Sequence, residues 1–143
     1  MKILHLGNAY FLGAFRQLGH DVKWAGYHRT ADLPLTRSLL DAKDLLAQLP
    51  SNWFPDLIVL GDESAQPLVL GLEALPVPLV WYAIDSHIHA NWHMHYAAAF
   101  DVIGVAQKDW TPVYQVDMDR QCVSWMPLFC QQSDGRDLGL ARN

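Results

Sequence analysis

The sequence predicts an α/β domain: a doubly wound parallel sheet in a three-layer α/β/α arrangement. Three observations carry that expectation. Short apolar runs alternate with segments whose apolar residues recur at helical spacing, which is the signature of consecutive strand and helix units. The run Asp56 to Leu60, DLIVL, is apolar almost throughout, as strands buried on both faces are. A chain of 143 residues, 51% hydrophobic and 17% charged, suits a single domain with a real core and leaves no room for a second of similar size.

The elements follow in order. Ile3 to Leu6 reads as a first strand ended by Gly7 and Asn8; Phe11, Leu12, Phe15 and Leu18 then recur at helical spacing up to Gly19. Val22 to Ala25 is a second strand, and a variable stretch runs on through Pro34. Leu39, Ala42, Leu45, Leu46 and Leu49 lay one apolar face on a helix that Pro50 stops. The DLIVL strand comes third, terminated by Gly61-Asp62-Glu63-Ser64. Pro67 opens a helix through about Leu75, with Leu68, Leu72 and Leu75 on one side. Leu79 to Ile84 is the fourth strand, Trp92 to Phe100 lies in a fourth helix, and Val102 to Ala106 is the fifth strand. Pro112 to Gln115 forms a short helical turn and Cys122 to Leu128 a sixth strand. The sum is a Rossmann-like domain over residues 1–130, with the polar stretch 131–143 as linker or tail.

Several function classes lose support at this level. The formal charge is −5 and no lysine or arginine run occurs, so neither a nucleic acid nor an anionic membrane surface is an expected partner. Two cysteines, Cys122 and Cys130, lack metal-ligand spacing and are too few for a disulfide framework. His5, Gly7 and Asn8 interrupt the apolar N-terminal run, against a signal peptide, and no stretch reaches membrane-spanning length. A cytoplasmic protein is the resulting expectation.

Chemistry-bearing residues concentrate between Trp81 and Asp109, where four histidines and several hydrogen-bonding side chains separate two apolar runs. Asp85, Ser86, His87, His89 and Asn91 fall where a strand should give way to a helix, the edge at which open α/β sheets bind ligands. With the common 3-2-1-4-5 strand order, the loops after the first and fourth strands become neighbours, bringing Gly7 and Asn8 beside Asp85, Ser86, His87 and His89. Asp62, Glu63, Gln107 and Lys108 join the same edge. Gly7-x5-Gly13 is neither a dinucleotide fingerprint nor a Walker loop, so no NAD, ATP or FMN site is predicted, and no cofactor is expected. Asp62 and Lys108 sit near two positions of a phosphoryl-accepting receiver domain, but its acid pair after the first strand is missing.

The histidine cluster admits three readings. Asp85-Ser-His87-Ile-His89 looks like the D-x-H-x-H of metal-dependent amidohydrolases, although the chain is too short for their barrel and supplies no further ligands, so no metal is predicted. In a second reading, Asp85 or Ser86 caps the following helix and the histidines lie on its surface, His93 and His95 in particular. In the third, a histidine at the strand's carboxyl end acts as a general base or binds sugar hydroxyls while a neighbouring carboxylate orients it. Trp92, Tyr96 and Phe100 recur every four residues and make one packing face.

The run Asp85-Ser-His-Ile-His89 with Trp92, then Ala99-Phe-Asp101 with Ala106-Gln-Lys-Asp109-Trp, and finally Trp125-Met-Pro-Leu128, resembles the N-terminal domain of GT-B glycosyltransferases. The similarity is to the bacterial group related to the spore-maturation protein CgeB, a glycosyltransferase family 4-like group. It spans most of residues 1–130 and is strongest from Asp85 to Asp109. The resemblance implies a sugar acceptor held by this domain and a nucleotide-sugar donor held by a second Rossmann-like domain that the 143 residues do not contain. It also implies no tightly bound metal. On that basis His87 is the expected catalytic group with Asp85 as its orienting partner, and Gly7, Asn8, Ser86, His89 and Gln107 are expected to bind substrate. The domain alone would be inactive, with weak self-association through the face its partner would cover. The alternatives are a freestanding flavodoxin-like module that binds a small ligand or protein, and a metal-dependent hydrolase using the DSHIH run.

Overall fold

The computed structural model describes residues 1–61, 68–117 and 119–128. The first half of the chain forms β1 (Lys2–Gly7), α1 (Leu12–Gln17), β2 (Asp21–Gly26), β3 (Leu33–Pro34), β4 (Leu39–Asp41), α2 (Ala42–Leu46) and β5 (Leu57–Gly61). The second half forms β6 (Leu68–Leu70), β7 (Leu79–Ala83), α3 (Ser86–Tyr96), β8 (Val102–Val105), α4 (Thr111–Tyr114) and β9 (Cys122–Trp125). Seven strands make one parallel sheet in the order β3-β2-β1-β5-β7-β8-β9. The fold is therefore α/β, Rossmann-like and three-layered.

Counted along the chain within this sheet, the order is 3-2-1-4-5-6-7, because the two-residue β3 pairs outside β2 through Ala25 with Leu33 and Gly26 with Pro34. The expected order thus appears with every later strand shifted by one place. DLIVL is the fourth strand of the sheet and Leu79–Ala83 the fifth.

Two helical expectations give way to strands. Leu39–Asp41 and Leu68–Leu70 pair in parallel as β4 and β6, a two-stranded sheet outside the main one. Leucine spacing read along one segment could not show this, since each strand exists through the other. Helix α2 consequently starts only at Ala42, where the Asp41 carboxylate accepts from the Lys43 N–H at 2.8 Å. Gly71, at φ 79°, ends β6 and opens a single 3-10 turn over Leu72–Ala74 instead of a long helix.

Parallel pairing places side chains in rows across the sheet. On one face Leu6, Leu60, Trp81, Ile103 and Val123 share a row. Helices α2, α3 and α4 cover it, and Trp81, Phe100 and Tyr114 are fully buried there. Trp81 packs edge-on against Tyr96 and Tyr114 at ring separations of 5.5 Å, with Phe100 at 5.2 Å. Of the expected face Trp92, Tyr96 and Phe100, only Phe100 is fully buried, while Trp92 and Tyr96 are half-buried.

The opposite face is covered by α1, whose Leu12 and Phe15 pack on Ile3, Val22 and Val59. Here His5, Val59, Val80, Val102 and Cys122 form one row, and Gly7, Gly61, Tyr82, Gly104 and Ser124 the next. Toward β9 this face is open, with Val102, Cys122 and Ser124 all exposed.

Candidate functional site

The carboxyl ends of β1, β5, β7 and β8 build the edge where site residues were expected. The sheet's strands before β5 are laid down on one side of β1 and those from β5 onward on the other, so the switch point lies between β1 and β5, with Gly7 and Gly61 in register. The loop after β7, which carries Asp85, is one strand farther away. At a strand spacing of about 4.8 Å, Gly7 and Asp85 belong to strands roughly 10 Å apart, with β5 between them. The strand that ends in Gly7 is therefore not paired with the strand that leads to Asp85. The shift follows from β3, whose two residues carry too little pattern to be counted from sequence. Asp62 and Glu63, the acids expected beside the switch point, fall outside the described residues.

Glycines end three adjacent strands: Gly26, Gly7 and Gly61. Their space is filled from within. A Cβ on Gly26 would lie 2.7 Å from the Trp24 indole nitrogen and 2.8 Å from the Gly7 carbonyl oxygen. One on Gly61 would meet the Asn8 carbonyl oxygen at 3.0 Å and the His5 ring at 3.2 Å. Gly26 and Gly61 thus allow close packing of the chain on itself. The loop that follows β1 brings Tyr10 and Phe11 edge-on to Tyr82, at 6.0 and 5.3 Å. Burial, then the nearby Tyr10, pushes the Tyr82 phenol above its usual pKa.

Among the described residues, two non-glycine residues adopt left-handed backbone conformations, Phe11 at φ 66° and Asp85 at φ 50°. Each immediately precedes a helix at this edge of the sheet. Such conformations persist when surrounding structure over-determines them, and they concentrate at functional sites. Asp85 turns the chain from β7 into α3 without using its carboxylate as a helix cap. Its carbonyl accepts from the Ile88 and His89 N–H groups at 2.9 and 3.3 Å. The Ser86 N–H instead reaches the Gln107 side-chain oxygen, at 3.4 Å, so Gln107 and Ser86 do converge as expected.

Helix α3 begins at Ser86, and its buried face is centred beside the expected Trp92–Tyr96 stripe, whose two aromatics are only half-buried. Ser86 and His93, two turns apart, share the inward face and are fully buried. His93 is thus a core residue and no surface decoration, whereas His87 and His95 are exposed and His89 is half-buried. Among the described residues the His87 ring makes no hydrogen bond to the Asp85 carboxylate.

Sequence reasoning missed the partner that His93 finds. Tyr114, also fully buried, donates to the Ser86 hydroxyl at 2.8 Å and lies 2.7 Å from His93 Nδ1. A buried chain Ser86–Tyr114–His93 results. Burial, with a smaller contribution from the charge of His89, lowers the His93 pKa from 6.5 to about 4, so the ring is neutral near pH 7. The one available signal was the seven-residue spacing of Ser86 and His93; Tyr114 is brought in only by tertiary structure.

Two cavities lie elsewhere. One of about 250 Å³ lies beyond β3 against α2, lined by Thr36, Arg37, Asp41, Asp44 and Gln48 among others. The other, about 470 Å³, sits at the amino ends of the strands, beside Pro76, Pro78, Asp101 and Arg120. Neither includes a histidine. At the sheet edge His87 is exposed and His89 half-buried. Among the described residues no three of histidine, cysteine, aspartate or glutamate are placed to hold a metal ion, and no helix is long and apolar enough to cross a membrane. No protein-family model, curated protein or solved structure matches the chain.

Proposed function

We propose that this domain is the acceptor-side half of a nucleotide-sugar-dependent glycosyltransferase, with its site at the start of α3. The observation that carries the reading is the left-handed Asp85, which turns β7 into a helix whose first turn presents His87 and His89 at the carboxyl edge of a seven-stranded parallel sheet, with Ser86 turned inward. Open α/β sheets bind ligands at that edge. The segment coincides with the residues that resemble the GT-B transferases most closely.

In this reading the exposed His87 accepts the proton of an acceptor hydroxyl as its oxygen attacks the anomeric carbon and the nucleoside diphosphate leaves. Asp85, at the turn two residues earlier, is assigned as the partner that orients His87. His89 and Gln107 contribute hydrogen bonds to the acceptor, with Asn8 farther along the edge. The donor is held by a second domain.

The test is a transfer assay on a polypeptide that joins this domain to its donor half. His87→Ala should lower turnover by about 10²–10⁴, the usual contribution of a general base, while thermal unfolding is unchanged. Near-normal turnover removes His87 from the mechanism.

A further inference from the structure

We propose that the buried chain Ser86–Tyr114–His93 holds the first turn of α3 in place, making Tyr114 a positioning residue for Asp85, His87 and His89. The inference rests on the sheet-edge site just described, but its test requires no sugar.

Three fully buried polar side chains in an otherwise apolar and aromatic core are an unusual choice for packing alone. Apolar side chains of similar size would fill the same space without needing partners. A hydrogen-bonded chain does what they cannot: it is satisfied in one relative placement of its members and penalises others. Here the members come from the first turn of α3, from the same helix two turns later, and from α4. Shifting the first turn away from the core would leave the Tyr114 hydroxyl without the serine.

Ser86 directly follows the left-handed Asp85, and it is gripped on two sides. Tyr114 bonds its hydroxyl at 2.8 Å, and the Gln107 side chain accepts from its N–H at 3.4 Å. Both grips come from segments beyond β7, so α4 and the loop after β8 together fix the residue through which Asp85 enters the helix. This accounts for a non-glycine residue remaining at φ 50° with no cap bond of its own. One further contact carries the arrangement outward: the His93 ring lies 5.3 Å from that of the half-buried His89, one turn earlier on the same helix.

The experiment is heteronuclear NMR on the wild-type chain and on Tyr114→Phe and Ser86→Ala, each of which removes one hydroxyl. Either variant should move the Asp85 backbone carbon shifts away from left-handed values. Exchange of the Ile88 and His89 amides should accelerate about tenfold more than that of Trp81 and Ile103, which report global opening. The double variant should add little to either single one, since both break the same chain. Should Tyr114→Phe fail to fold, Ser86→Ala carries the same test. Unmoved Asp85 shifts, or acceleration shared equally by all amides, would show that the chain is packing alone. A positive result stands even if no glycosyl transfer is ever found. A negative one alongside measured transfer overturns the positioning role and leaves the function intact.

Discussion

The Trp24 indole N–H donates to the Gly7 carbonyl oxygen at 2.7 Å, spanning β2 and β1 at the carboxyl edge of the sheet. The bond is made over Gly26, the residue beside which a side chain would have no room.

Gly26→Ala therefore places a methyl group 2.7 Å from the indole nitrogen and 2.8 Å from the carbonyl oxygen, and one must move. Overpacking of this kind costs about 1–3 kcal/mol. Urea denaturation should register that loss, with Trp24 fluorescence altered in the folded state. An unchanged midpoint would mean that the Trp24 contact is not maintained in solution.

Asp85 gives a second, relational prediction. Glycine enters the left-handed region freely and alanine does not, so Asp85→Gly should be more stable than Asp85→Ala by ~1 kcal/mol. In a regular extended or helical position the order would be reversed. Both variants lack the carboxylate, and both should lose transfer activity to a similar degree in a complete enzyme. Equal stabilities would contradict the conformation observed at φ 50°.

Buried histidines set the acid sensitivity of the fold. Burial, with some repulsion from Arg16 and opposed by a backbone contact from Tyr10, lowers the His5 pKa to about 4, and burial lowers that of His93 to about 4 as well. Unfolded histidines titrate near 6.5, so between pH 6.5 and 4 the unfolded chain binds more protons than the native one. Their contribution is full above pH 6.5 and is lost as pH falls toward 4. Each histidine should give a slope of up to about 1.4 kcal/mol per pH unit in that window. Urea midpoints measured from pH 7.5 down to 4.5 should fall steadily, and His93→Phe should flatten the curve. A flat wild-type profile would show that neither ring is buried neutral.

How much of this was legible in the sequence depends on where each signal resides. DLIVL announces itself because a strand covered on both faces needs no polar alternation, and all but its first residue form β5. The turn at Asp85 was also legible, since polar residues abruptly follow an apolar run. Leu33–Pro34 was not, because two residues hold no periodicity, and missing it displaced the switch point by one strand. Leu68-Val-Leu70 resembled a helix after Pro67 because its pairing partner is the distant Leu39–Asp41. His93 looked like a surface residue because the packing face was drawn through Trp92, Tyr96 and Phe100. The buried face runs instead through Ser86, His93 and Ala97, where Tyr114 meets it.

The central claim, that the start of α3 at the sheet edge receives a sugar acceptor, is tested most directly by mapping saccharide binding on the isotopically labelled chain. A panel of mono- and oligosaccharides is titrated, and amide shifts are followed. The account predicts that at least one perturbs Asp85, His87, His89 and Gln107 in a saturable way, and that His87→Ala weakens that binding. Absence of binding across the panel, or perturbations confined to the cavity near Arg37 and Asp44, would contradict it.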